Sequence, residues 1–247
     1  MEDDKKKKIL MIIPINTTMY NEIAQSYVDH VLAPDFSIDI MNIDKGTPDI
    51  QSRWARSENA PHVADLVLKH HEGYDGIFIS DFDNAGVGPV REIVRIPVVG
   101  GFGPQALVAL ELAQTFSIVT ILDAMRSLDR SHARDYGISQ NLVSVRAINL
   151  GVEQLGDIEL VRDHLYNESL AAIRHDGAQA ILVGCTGIMD AAKNVSERLA
   201  KDGFPGIVMD PNLIGISFLQ MLIRCGLSHS RMAYGFPPNL RDKPRAD

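Results

Sequence analysis

Cys185 closes the run Ile181-Leu182-Val183-Gly184-Cys185-Thr186-Gly187, where an apolar stretch ends in glycine and gives way to a thiol, a hydroxyl and a second glycine. A thiol in that setting can give or take a proton, and its small neighbours leave room for a ligand to reach it. A helix starting just beyond would lower the thiol pKa through its dipole and free N–H groups. The same N–H groups, with Thr186 and Gly187, would hold a carboxylate or enolate oxygen. Asp81 closes a similar run, Asp75-Gly76-Ile77-Phe78-Ile79-Ser80-Asp81. It opens Asp81-Phe82-Asp83-Asn84-Ala85-Gly86, a composition that also suits an Asx turn or a helix cap. A carboxyl with an ordinary pKa of about 3.9 is a feeble base toward a carbon acid, and burial in an apolar cleft raises it.

Other residues are candidates for holding a small ligand. Asn16 and Thr17 follow the first apolar run, Thr120 ends another, and Phe82 and Asn84 flank the Asp81 turn. The glycines of Gly100-Gly101-Phe102-Gly103 suit close backbone approach better than nucleotide binding, since they do not form GxGxxG after a first strand. Cys225, just before Gly226 at the end of an amphipathic stretch, reads as structural. No CxxC, HExxH or Walker A motif occurs, and the adjacent His70-His71 lacks the helical spacing of a two-histidine metal site. The expectation is therefore no metal, no cofactor, and a small-molecule substrate.

Stepping along the chain, short β-branched runs alternate with longer amphipathic ones, which predicts βαβ units and mostly parallel sheets. Strands are expected at 9–15, 37–43, 76–80 and 97–99, then at 116–122, 142–148, 180–184 and 206–209. Helices are expected at 20–31, 60–69, 105–113, 157–174 and 213–224. The two sets of strands align in order. Ile9–Ile13 matches Phe116–Thr120, Asp75–Asp81 matches Gln179–Cys185, and Ile96–Val99 matches Pro205–Val208. An internal duplication follows: an α/β fold of two similar lobes, each a mostly parallel four-stranded sheet flanked by helices. The lobes are expected at 1–114 and 115–225, with a C-terminal tail, 226–247, that crosses back. Ligands of open α/β sheets bind at the carboxyl ends of the strands, so the duplicated strands deliver Asp81 and Cys185 to one cleft from opposite sides.

The 247 residues are 45% apolar and 23% charged, an ordinary globular balance. The 24 basic residues against 32 acidic give a net charge of −8, which argues against binding nucleic acid. The one basic run, Lys5 to Lys8, reads as a solvated tail. No run of about 20 apolar residues could span a membrane, and the charged N-terminus is unlike a secretory signal. Two cysteines exclude a disulfide framework, so a cytoplasmic protein is expected. A homo-oligomer is the expected assembly.

These residues resemble the aspartate/glutamate/hydantoin racemase superfamily, and within it the hydantoin and allantoin racemase branch. The resemblance rests on Ile12-Ile13-Pro14-Ile15-Asn16-Thr17-Thr18, on Gly76 to Arg91, on Pro97-Val98-Val99-Gly100, on Gly184-Cys185-Thr186-Gly187 and on Gly226-Leu227-Ser228-His229-Ser230. It implies the two-lobe fold and proton transfer at a carbon by two cysteines facing each other, without cofactor or metal. Cys185 falls on the second of those positions, and Asp81 stands at the first. Pro104 also departs, where the branch usually has an acidic residue. Three readings follow. Asp81 and Cys185 act as opposed acid–base groups in a racemase or epimerase; Cys185 alone is the proton donor of a decarboxylase, lyase or isomerase; or the lobes bind a small molecule without turnover.

Overall fold

The computed structural model describes residues 6–240. In chain order its elements are β1 (Lys7–Ile13), α1 (Asn21–Val28), β2 (Phe36–Asn42), α2 (Arg53–His70), β3 (Gly76–Ile79), α3 (Val87–Ile93), β4 (Val98–Val99) and α4 (Phe102–Leu112). The second half repeats the series as β5 (Phe116–Thr120), α5 (Arg126–Asp135), β6 (Leu142–Ala147), α6 (Ile158–Asp176), β7 (Ala180–Val183), α7 (Ala192–Lys201), β8 (Ile207–Met209) and α8 (Pro211–Arg224). Each half forms a parallel four-stranded sheet, ordered β2-β1-β3-β4 and β6-β5-β7-β8. The register repeats too: Ile9 pairs with Gly76 and Phe116 with Ala180, two pairs that the sequence alignment equates.

Strands β3, β5 and β7 are buried along their whole length, as is β1 from Ile9 to Ile13. Parallel strands covered by helices on both faces have no solvent side, so their residues are continuously apolar. Several elements differ from the sequence reading. Lys7 and Lys8 belong to β1, where the Lys8 N–H donates to the Asp75 carboxylate at 2.7 Å, so only the earlier part of the supposed tail, in residues 1–5, lies outside the described residues. Helix α2 begins at Arg53, capped by the Ser52 hydroxyl, and carries Pro61 in its interior. The sequence reading expected this helix only from 60; the residues before Pro61 are helical too, although proline is at home in a first turn and costly further in. Helices α3, α5 and α7 escaped it because α3 is short and contains Pro89, while α5 and α7 carry only narrow apolar stripes.

The last helix of each half covers the other half's sheet. Phe102, Ala106 and Ala109 of α4 pack with Phe116, Ile118, Ala180 and Leu182 of the second sheet. Ile216 and Leu219 of α8 pack with Ile9, Met11 and Phe78 of the first. Gly215 allows this approach, since a Cβ there would stand 2.5 Å from the Phe78 ring. The expected boundary at 114 therefore cuts the chain between β-strands, whereas the packed units trade α4 for α8. Beyond α8, Gly226 takes φ +64° and the chain runs along the first lobe, where the Val98 N–H donates to His229 Nε2 at 2.7 Å. Residues 241–247 of the expected tail lie outside the described residues. No described helix is long and apolar enough to cross a membrane.

Candidate active site

Asp81 and Cys185 follow the carboxyl ends of β3 and β7, and both line one cavity of about 400 Å³ between the lobes. The loops that carry them are tied across the lobes. The Thr186 hydroxyl donates to the Ser80 carbonyl at 3.0 Å. Asn212, on the first turn of α8, accepts from the Ser80 hydroxyl at 2.9 Å and donates to the Thr186 carbonyl at 2.8 Å. Asp210 holds that turn, its Oδ1 accepting from the Asn212 and Leu213 N–H groups at 2.9 Å each.

Asp81 is buried, and its Oδ2 accepts from the Ala85 N–H at 2.6 Å, which makes it an Asx-type loop anchor as well as a cavity residue. Its carbonyl accepts from the Gly101 N–H at 3.0 Å; a Cβ on Gly101 would meet the Phe82 Cα at 2.9 Å, so that glycine permits the contact. Burial, with the neighbouring Asp83 carboxylate, pushes the Asp81 carboxyl up to about 7, against the pull of the Ala85 N–H, Arg56 and His132.

Cys185 corrects one expectation. No helix begins beside it: a turn follows, and α7 starts only at Ala192. The Gly187 N–H donates to its sulfur at 3.3 Å. Burial, reinforced by the Asp81 and Asp83 carboxylates, outweighs that N–H and pushes the thiol up to about 12. Cys185 is thus held as a protonated thiol, a donor rather than a ready thiolate. Cys225 caps the end of α8, exposed.

The remaining sequence candidates divide. Thr186 and Gly187 line the main cavity with the pair. Thr120 and Phe82 do not; they border a chamber of about 30 Å³ behind it, shared with Asp81, Asp83 and Cys185. Phe82 is fully buried and edge-on to Phe102, 5.6 Å between centroids, so its role is packing. Asn84 holds the turn, at φ 60° and with its side chain against Gly100, and lines neither space. Asn16 and Thr17 are a correction. The Asn16 amide donates to the Gly46 carbonyl at 2.7 Å, the Thr17 hydroxyl accepts from the Met19 N–H at 3.3 Å, and both line a separate polar cleft of about 590 Å³ on the first lobe. The bend after β1, closed by the Ile15 N–H on the Ile13 carbonyl at 2.8 Å, leaves Ile13, Pro14 and Ile15 on the main cavity instead.

Sequence reasoning missed most of the cavity wall. Ile13, Ile15, Tyr20, Ile50, Leu155 and Met189 make it largely apolar, and these residues come from the end of β1 and four separate connections with no common motif. Among the described residues its ionisable side chains are Asp49, Asp81, Asp190, Cys185 and two tyrosines, with no lysine or arginine. Tyr27 donates to Asp210 at 2.9 Å across the lobes. Behind Asp81, Asp83 accepts from or donates to His132 at 3.0 Å, and Asp129 stands beside them. Asp129 and His132 lie three apart on α5, the one signal of that cluster available in sequence.

The family model for Asp/Glu/hydantoin racemases matches residues 9–219. A hydantoin racemase from Pseudomonas sp. (strain NS671) is 27% identical over 233 residues, 93% of this chain and 92% of that protein. A hydantoin racemase from Rhizobium meliloti is 30% identical over 178 residues, 71% of each chain. Among solved structures, allantoin racemase from Klebsiella pneumoniae superposes with a TM-score of 0.86 at 26% identity, over 94% of each chain. Arylmalonate decarboxylase, at TM-score 0.60 and 17% identity over 87% of this chain and 92% of its own, shares the two-lobe fold.

Proposed function

Because the chain belongs to the Asp/Glu/hydantoin racemase family, we propose that it is a racemase or epimerase that moves a proton at the acidic carbon of a small, neutral, hydantoin-like carbonyl compound, with Asp81 and Cys185 as opposed acid–base groups. The family and its curated relatives are those of an isomerase. The observation that carries the finer reading is that Asp81 and Cys185, at equivalent ends of duplicated strands, line one cavity from the two lobes.

In the forward step the Asp81 carboxylate takes the proton from the ring carbon, and the electron pair passes into the adjacent carbonyl as an enolate. The Cys185 thiol returns a proton to the opposite face. The product is the mirror-image compound, with Asp81 now an acid and Cys185 a thiolate. That state serves the reverse reaction, or exchanges a proton with water and resets. A carbon acidified by a flanking carbonyl and ring nitrogen is within reach of such groups, and paired general acid–base catalysis contributes about 10²- to 10⁴-fold per group.

The cavity wall supports this substrate class. Its acidic side chains, unaccompanied by lysine or arginine among the described residues, disfavour carboxylate substrates such as free amino acids or malonates. This weighs against the one-cysteine decarboxylase reading. Its aliphatic and tyrosine lining favours an apolar ring substituent. The test is optical rotation with single enantiomers of 5-isobutylhydantoin and leucine, alongside phenylmalonate. Decay of rotation for the hydantoin alone is expected; racemised leucine, or carbon dioxide from the malonate, would contradict the assignment.

A further inference from the structure

Behind Asp81 the lobes enclose a second group of polar side chains that the proton-transfer step does not use. Asp83 comes from the turn after β3, and Asp129 and His132 from α5 of the other half. One donor atom from each lies within 4.8 Å of the other two, and all three residues are buried. Asp83 and His132 are hydrogen-bonded at 3.0 Å. Asp129 is fully buried, and apart from the Asp83 carboxyl and the Thr120 hydroxyl beside it neither of its carboxylate oxygens has a hydrogen-bond partner. A buried carboxylate without a partner is costly unless a proton or a cation meets it.

The charge around the group is one-sided. Asp81, Asp83 and Asp129 face one another across the lobe boundary. The Arg56 guanidinium lies nearby, and its Nε donates to the Asp83 backbone carbonyl at 2.6 Å. A chamber of about 30 Å³, the size of a single water molecule or ion, adjoins Asp83 of this group, while Asp129 and His132 do not line it. The Asp-x-x-His spacing of Asp129 and His132 puts two donors on one helix face, an arrangement metal-binding helices use.

We propose that Asp83, Asp129 and His132 bind one divalent first-row transition ion at the lobe boundary. Two carboxylate oxygens and an imidazole nitrogen suit zinc, manganese or cobalt better than the all-oxygen shells of calcium and magnesium. Donors about 2.1 Å from such an ion stand roughly 3 to 4 Å apart, so the group closes on it by small side-chain movements. With one ligand from the first lobe and two from the second, the ion would clamp the lobes together and offset the carboxylate charge behind Asp81.

The test uses the full chain, stripped with chelator, dialysed against zinc or manganese, and assayed for bound metal by mass spectrometry. One equivalent per chain is expected, retained in Cys225→Ser and weakened tenfold or more in Asp129→Asn and His132→Gln. Cobalt supplies a second readout on unaltered protein, a visible absorption band that titrates to one equivalent. Less than a tenth of an equivalent, or binding indifferent to both substitutions, overturns the proposal and leaves a shared proton as the counter-charge. No substrate enters the measurement, so its failure is distinct from a failure of the proton-transfer assignment.

Discussion

Thr186 donates its hydroxyl to the carbonyl of Ser80 at 3.0 Å, so the residue after Cys185 holds the residue before Asp81. The two acid–base candidates belong to different lobes, and this bond spans the boundary between them at the point where their separation matters. Thr186→Val keeps the shape and removes the donor. A stability loss of about 0.5 to 1.5 kcal/mol is expected for the bond. Turnover should fall further, about ten- to a hundredfold, because small displacements of reacting groups are expensive in rate. Thr186→Ser should restore most of both, measured by urea denaturation and initial rates.

Asn212 holds the same junction from α8. Asn212→Leu strands the buried Ser80 hydroxyl and the half-buried Thr186 carbonyl. Two unsatisfied groups cost about 2 to 4 kcal/mol together. Chemical denaturation should register that loss, and it should exceed the loss from Thr186→Val.

The traded helices make a prediction about where damage is felt. Leu219 is fully buried against the first sheet although it lies in the second half of the chain. Leu219→Ala should cost about 2 to 5 kcal/mol. Hydrogen exchange should rise in β1 and β3 more than in β5 and β7; the reverse pattern would contradict the exchange.

His229 should make the clasp of the C-terminal segment acid-sensitive. Its imidazole accepts from the Val98 N–H, and burial, with Arg91 and Arg231 nearby, lowers its pKa from the ordinary value to about 4. The folded state therefore binds this proton less readily than the unfolded one. The stability it supports is complete above about pH 6.5 and is lost as the pH falls toward 4. His229→Gln retains an acceptor without a proton to gain, so its melting temperature should fall less across that interval than the wild type's.

The fold was legible in the chain because buried parallel strands are written as continuous β-branched runs, and because the duplication repeats them in order. The 9–13 and 116–120 runs even occupy the same register in their sheets. Position was legible where one residue ends a strand, as with Asp81 and Cys185, which both line one cavity. It was not legible where a loop turns. Asn16 and Thr17 follow β1 as expected, yet the bend at Pro14 and Ile15 directs them to another cleft. The thiol's environment was misread for a similar reason: a strand end followed by Thr-Gly looks like a helix start, and the helix begins at Ala192. Asp83 and Asp129 are drawn together only by tertiary packing, and no local pattern announces it.

Proton transfer between Asp81 and Cys185 across one substrate carbon leaves an isotopic trace. The direct measurement is deuterium incorporation from D₂O into a single enantiomer of 5-isobutylhydantoin, followed by NMR with chiral separation. The wild type should place deuterium in the inverted enantiomer from the first turnovers. Cys185→Ser and Asp81→Asn should each lose that exchange by about 10²- to 10⁴-fold, while Asp81→Cys should retain it. Undiminished exchange in Cys185→Ser, or deuterium appearing only in the starting enantiomer, would contradict the two-group mechanism.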